Sequence, residues 1–310
     1  MRSMSKLAGA AAILAAMVMA PASTTNAVPS ETAPVHPMAL RGHERLNGLP
    51  TPAGQAGKPG NARTNGITYH NGPVMLGSIN AYIIWYGDWS TAGPRQAIIR
   101  NFLGSVGGSN YFNINTTYTN GANVRVSNLV SLSSYEANDP NSQGVTNLSD
   151  AQIQAIANRA ITSNALPKDT NGVYFVLTAA KVSKSGFGTQ YCGWHTHASI
   201  GGSDIKYSFV GDPTSWMSAC AAQTTGPNAD GPGDAMVSVI AHELEETATD
   251  PDLNAWYDTQ GSENADKCAW TFGTTYGVPG AQANVNLKGH DYLIQRNWVN
   301  ASGGFCAMSL

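Results

Sequence analysis

The 310-residue chain carries 17 Lys+Arg against 20 Asp+Glu, and charged residues are only 12 % of it. No Lys/Arg cluster stands in it, which argues against nucleic acid and anionic membranes as partners, since both require concentrated positive charge. Beyond the N-terminal segment no apolar run is long enough to span a bilayer.

That N-terminal segment reads as an export signal. Arg2 and Lys6 precede the apolar run Leu7 to Ala20, and Ala22 or Ala27 can end a small-residue cleavage site. With residues 1–27 removed, 15 Lys+Arg face 20 Asp+Glu, and the expectation is a secreted, soluble, mildly acidic protein. Residues 28–66, rich in Pro, Gly, Ala and Thr without periodicity, read as a disordered linker or pro-segment. Residues 67–310 then form a single globular domain.

The β-branched and aromatic run Val74 to Gly87 predicts one or two strands, the second buried on both faces. Pro94 opens a helix to Leu103, with Ala97, Ile98 and Phe102 at helical spacing. Val124 to Val130 predicts another strand. Ser149 and Gln152 form the ends of a capping box for a helix reaching about Ser163. Gly172 to Thr178 reads as a buried strand, and Ile205 to Val210 as a weaker one. A third helix is expected from Asp234 to about Thr249, preceded by a turn at Gly231-Pro232-Gly233 and capped by Asp234. Tyr292 to Ile294 is a short strand. Strands interleaved with helices give an α+β (or α/β) fold, with a mixed central sheet and packed helices.

Four cysteines in an exported chain imply two disulfides. Cys192–Cys220 and Cys268–Cys306 are the favoured pairs, because each closes a short loop.

The most chemically loaded segment is His242-Glu243-Leu244-Glu245-Glu246. Residues four apart share a helix face, so His242 and Glu246 are neighbours with Glu243 beside them. This is the geometry of the HExxH metallopeptidase helix, where the first and fifth residues hold zinc and the Glu is the general base. Here Glu246 replaces the second His, and a carboxylate is an acceptable zinc ligand. Leu244 reads as core packing, and Glu245 has no assigned role. The alternative is a solvent-exposed acidic helix end.

A third ligand is needed. Glu263, seventeen residues after Glu246, is preferred, and Asp252, ten after His242, is the alternative. The stretch Ser262-Glu263-Asn264-Ala265-Asp266 resembles the segment in which thermolysin-like zincins carry a third ligand, followed by an Asp that orients a metal-bound His; that resemblance gives Asp266 the orienting role. One neutral His with two carboxylates leaves a zinc centre uncharged, which weakens the metal as a Lewis acid. The acidic set Glu246, Asp250, Asp252, Asp258, Glu263 and Asp266 is also rich enough in oxygen to suit calcium. His195, His197 and His290 are each candidates to stabilise a tetrahedral intermediate. His195 and His197 otherwise read as satisfied histidines in a disulfide-anchored loop. No serine-hydrolase elbow, phosphate loop or dinucleotide fingerprint is present.

From residue 72 onward the chain resembles the EXORDIUM (phosphate-induced protein) family. The residues that carry this are Gly72-Pro73-Val74, Ile79 to Gly87, Gly172 to Thr178, Cys192-Gly193 with His195, and Lys288-Gly289 to Cys306. The resemblance implies an exported, cell-wall-associated protein, linked in plants to cell expansion. Plant members do not generally keep an HExxE here, so the metal site rests on this chain's residues and looks like that of microbial relatives. Two functions are therefore expected: a secreted zincin-like metallohydrolase, with His242, Glu246 and Glu263 on the metal, Glu243 as base and a peptide or protein as substrate; or a non-catalytic binder of a cell-wall polymer.

Overall fold

The computed structural model describes residues 66–310 in full and residues 36–39 by their backbone. Six strands build the central sheet: β1 (His36–Ala39), β2 (Ile79–Tyr86), β3 (Val130–Asp139), β4 (Gly172–Thr178), β5 (Tyr191–Ile200) and β6 (Ser203–Gly211). Their spatial order is β1-β5-β6-β4-β2-β3. The four strands β6, β4, β2 and β3 run parallel to one another, while β5 runs antiparallel to β6. The expected α+β class with a mixed sheet is what the chain adopts. The parallel interior explains the near-continuous apolar runs of β2 and β4, whose strands are covered on both faces.

Three helices pack on this sheet: α1 (Arg95–Leu103), α2 (Asp150–Thr162) and α3 (Gly231–Thr249). At α2, Ser149 and Gln152 form the expected capping box. The start of α3 differs from expectation. Asp230 is its N-cap, accepting the Gly233 N–H at 2.8 Å, and Gly231-Pro232-Gly233 lies inside the first turn. Proline is tolerated there because its missing N–H would have had no helical partner. Asp234 instead accepts the Asn228 backbone N–H at 3.0 Å and its side-chain amide at 2.6 Å.

Two further differences concern strands. The sequence predicts a loop where β5 lies, because its buried Cys192, Trp194, His195 and Thr196 follow no simple alternation. The strand expected to end at Val130 begins there instead. Within the expected linker, β1 pairs antiparallel with β5, His36 opposite His195. Its sequence, His-Pro-Met-Ala, carries no strand pattern, so pairing along the β5 edge is what makes it a strand. The signal segment lies outside the described residues. Among the described residues, no helix is long and apolar enough to cross a membrane.

Both favoured disulfides are formed. Cys192–Cys220 ties the start of β5 to the helical turn Met217–Cys220 ahead of α3. Cys268–Cys306 ties the 3-10 turn Asp266–Cys268 to the last strand, Phe305–Ala307. Each covalent link therefore fixes a segment that carries part of the site described next.

Candidate metal centre

Helix α3 is buried along almost its whole length, packed against α1 on one side and β5 and β6 on another. A helix apolar on one stripe only could not sit there; Met236, Val237, Val239, Ile240, Ala241, Leu244 and Ala248 cover more than half its circumference. The polar segment that follows is carried into the interior with it. His242, Glu243, Glu245 and Glu246 are each no more than 1 % exposed, which removes the reading of an exposed acidic helix end.

Three elements converge on this segment. From α3 come His242, Glu243 and Glu246. From β5 comes His195, fully buried. From the loop after α3 come Glu263, also buried, and Asp266, whose carboxyl is 16 % exposed. His242 Nε2 lies 3.0 Å from Glu246 Oε1 and 3.5 Å from Asp266 Oδ1. His195 Nε2 lies 3.0 Å from Glu263 Oε2 and 3.6 Å from Glu246 Oε2. Glu246 thus turns one oxygen to each histidine. The donor atoms of His195, Glu243 and Glu246 lie within 4.8 Å of one another, as do those of His242, Glu246 and Asp266.

These spacings suit a metal. Ligands about 2.0–2.1 Å from a tetrahedral zinc stand roughly 3.3 Å apart. The 3.0 and 3.5 Å separations around His242 bracket that figure. Moreover, neither ring nitrogen of His242 makes an aligned hydrogen bond, although Nε2 is in contact with two carboxylates. A buried imidazole normally aligns such bonds, so the arrangement is that of two ligands facing a common point.

The structure brings His242 and Glu246 together as the sequence pattern requires, with Glu243 beside them. Glu263 enters the same cluster but meets His195. Asp266 approaches the same nitrogen of His242 as Glu246 does; an orienting residue would hold the other nitrogen. Asp252 lies apart, with His197, Asp204 and Lys206. His290 is exposed on the hairpin of Val285–Leu287 and His290–Tyr292, and Asp258 pairs with Lys267. The sequence names His195 among three candidates for transition-state stabilisation, and with His197 as a pair whose spacing can bind metal; its place between Glu246 and Glu263 follows from strand pairing, which no local pattern encodes.

The electrostatics are those of crowded buried carboxylates. Burial alone would lower the pKa of His242, but Glu246, Asp266 and Glu243 pull it well above its ordinary value. Burial raises Asp250, at the end of α3, to about 7, and the charge of Glu263 adds to the effect. Burial also raises Glu245 well above the ordinary range. Its carboxylate accepts from the Asn297 amide, and Asn264 donates to its backbone carbonyl at 3.1 Å, so Glu245 belongs to a structural network with these two asparagines. A surface cavity of 680 Å³ is lined by Tyr111, Tyr276, Asn286 and Lys288 among others, and by no residue of the cluster.

The chain is thus an α+β domain with two disulfides and a helix that buries His242 and Glu246, four residues apart. Comparison places it further. A family model described as "Phosphate-induced protein 1 conserved region" matches residues 67–292. "Protein EXORDIUM-like 3" of Arabidopsis thaliana is 32% identical over 272 residues, covering 75% of this chain and 80% of the relative. "Protein EXORDIUM-like 5" of the same plant is 32% identical over 276 residues, covering 75% of each chain. "Protein PHOSPHATE-INDUCED 1" of Nicotiana tabacum is 26% identical over 232 residues, covering 64% of this chain and 69% of the relative. No solved structure matches the chain. The chain belongs to the phosphate-induced protein 1, or EXORDIUM, family.

Proposed function

We propose that this is a secreted EXORDIUM-family protein that binds a transition-metal ion and uses it to hydrolyse a peptide or protein. The observation that carries the reading is His242: fully buried, without an aligned hydrogen bond, its Nε2 facing Glu246 and Asp266. His242, Glu246 and Asp266 hold the ion. Imidazole donors favour zinc or a similar transition metal over calcium, which takes oxygen ligands. The ion supplies Lewis-acid polarisation of a carbonyl. Glu243, within 4.8 Å of the donor atoms of His195 and Glu246, accepts the proton of an attacking water. The two disulfides support export, since such links persist in oxidising compartments.

The burial of the cluster favours a second reading, in which the ion is structural and the protein is a non-catalytic binder of a wall polymer. Structural sites are closed, whereas catalytic ones keep an open position. One experiment separates them. Wild type and Glu243→Gln are purified and compared for bound metal and for hydrolysis of a mixed peptide library. The hydrolase reading expects equal metal in both and a loss of roughly 10²- to 10⁴-fold in rate for the variant. Metal in both with no hydrolysis by the wild type leaves the structural ion, and no metal in the wild type removes both.

A further inference from the structure

Strand β1 is the least self-sufficient member of the central sheet. It is four residues long, and among the described residues it pairs with β5 alone. Register sets His36 opposite His195, Pro37 opposite Trp194 and Met38 opposite Gly193, and a bulge intervenes before Ala39. Pro37 has no N–H to give, and in an antiparallel pair the hydrogen-bonded positions alternate. The ladder therefore runs through the residues on either side of Pro37, and the N–H groups of Gly193 and His195 face β1.

The place that β1 fills is next to the proposed chemistry. A Cβ on Gly193 would stand 2.9 Å from Glu243 Oε1 and 2.5 Å from Val239 Cγ1, so the glycine lets the base lie against the backbone of β5. His195, two residues on, meets Glu246 and Glu263. Neighbouring strands stand about 4.8 Å apart. A chain in the place of β1 thus runs one strand spacing from the backbone that Glu243 lies against. Nothing in β1 requires that this chain be residues 36–39. Its sequence carries no strand pattern, and residues 40–65 separate it from the rest of the described domain. Main-chain hydrogen bonds to a sheet edge hold it, and any extended peptide can make those.

We infer that the β5 edge is the substrate cleft, and that residues 36–39 are a built-in occupant of it. A substrate peptide adds antiparallel to β5 in the place of β1, its main chain held by Gly193 and His195 and its backbone brought beside Glu243. The inference rests on the hydrolase reading above and names how its substrate binds. It also reconciles a closed centre with catalysis, because the structure then holds the self-occupied form.

The test compares wild type with Met38→Pro, which removes an N–H that β1 offers to β5 and leaves every residue of the cluster in place. Both are kept in chelator, so no metal takes part. The probe is a fluorescent synthetic peptide with the sequence of residues 34–41, followed by anisotropy, and the exchange of the Gly193 and His195 amides is read by nuclear magnetic resonance. A tethered segment acts at an effective concentration of order millimolar, so the peptide should bind the variant at least about tenfold more tightly than wild type. The two amides should exchange faster in the variant and regain protection when peptide is added. In wild type, excess peptide should shift the amide signals of residues 36–39 to those of a released chain, which tests the same exchange without a substitution. With zinc restored, the variant should hydrolyse a mixed peptide library faster than wild type. Equal peptide affinity for the two proteins, binding to neither, or identical amide exchange in both overturns the inference. Tighter binding to the variant with no hydrolysis in zinc keeps the peptide-binding edge and its occupant and removes the hydrolase reading instead.

Discussion

Replacing Asp250 by Asn tests the electrostatics of the cluster without touching a proposed ligand. Asp250 caps the end of α3 and is 1 % exposed. Its Oδ1 accepts the backbone N–H groups of Asn254 and Ala255, both at 2.6 Å, and an Asn oxygen can accept the same two. What changes is charge. Burial first, and the charge of Glu263 second, raise Asp250 from 3.8 to about 7. A rise of that size corresponds to about 4 kcal/mol of destabilisation by the charged form above pH 7. The sign is fixed by linkage: the raised carboxyl contributes stability below its unfolded pKa and loses it as pH climbs toward 7. Against this gain, the Asn amide meets the place of Oδ2, which makes no hydrogen bond. A buried, unmatched amide costs about 1–3 kcal/mol. The net expectation for the metal-free protein at pH 8 is a stabilisation of roughly 2 kcal/mol, or about 4–8 °C in melting temperature for a domain of this size. Calorimetric melts in chelator from pH 4 to pH 8 measure it. The advantage should vanish by pH 4, and a nearby bound cation should shrink it at pH 8. An Asn variant that melts below wild type at pH 8, or a difference that is flat with pH, refutes the account of a crowded anionic cluster.

Other expectations follow from the same geometry. Because the carboxylates around His242 raise its pKa, metal binding at pH 7 should release protons and strengthen as pH rises; titration calorimetry in buffers of different ionisation enthalpy reads this, and buffer-independent heats would contradict it. Gly193→Ala would set a Cβ 2.5 Å from Val239 Cγ1 and 2.9 Å from Glu243 Oε1, so it should cost about 1–3 kcal/mol in denaturant melts and lower activity by displacing Glu243. Replacing both Cys268 and Cys306 by Ser frees the loop that carries Glu263 and Asp266; with the cysteines 38 positions apart in sequence, the loss should be about 4 kcal/mol by the chain-entropy estimate, with weaker metal binding, and unchanged metal affinity would argue against that loop as a ligand source.

The parts legible in the sequence are those set by local pattern. β2 and β4 showed as apolar runs because parallel strands are covered on both faces, and α2 showed through its capping box. The neighbourhood of His242, Glu243 and Glu246 follows from helix spacing alone. The parts that stayed hidden depend on distant pairing. β5 gains its identity from β6 on one side and β1 on the other, and His195 reaches the cluster only through that register. The partner of Glu263 could not be read from its offset along the chain, because the loop folds it against β5. Burial of Glu245 had no sequence signal either; its partners Asn264 and Asn297 lie far along the chain.

The most direct measurement is a crystal structure of the zinc-soaked protein, with anomalous data collected on both sides of the zinc absorption edge. The account predicts an anomalous peak bounded by His242 Nε2, Glu246 Oε1 and Asp266 Oδ1. Ordered side chains at those three positions without a peak, and with His242 hydrogen-bonded directly to the carboxylates, would contradict it.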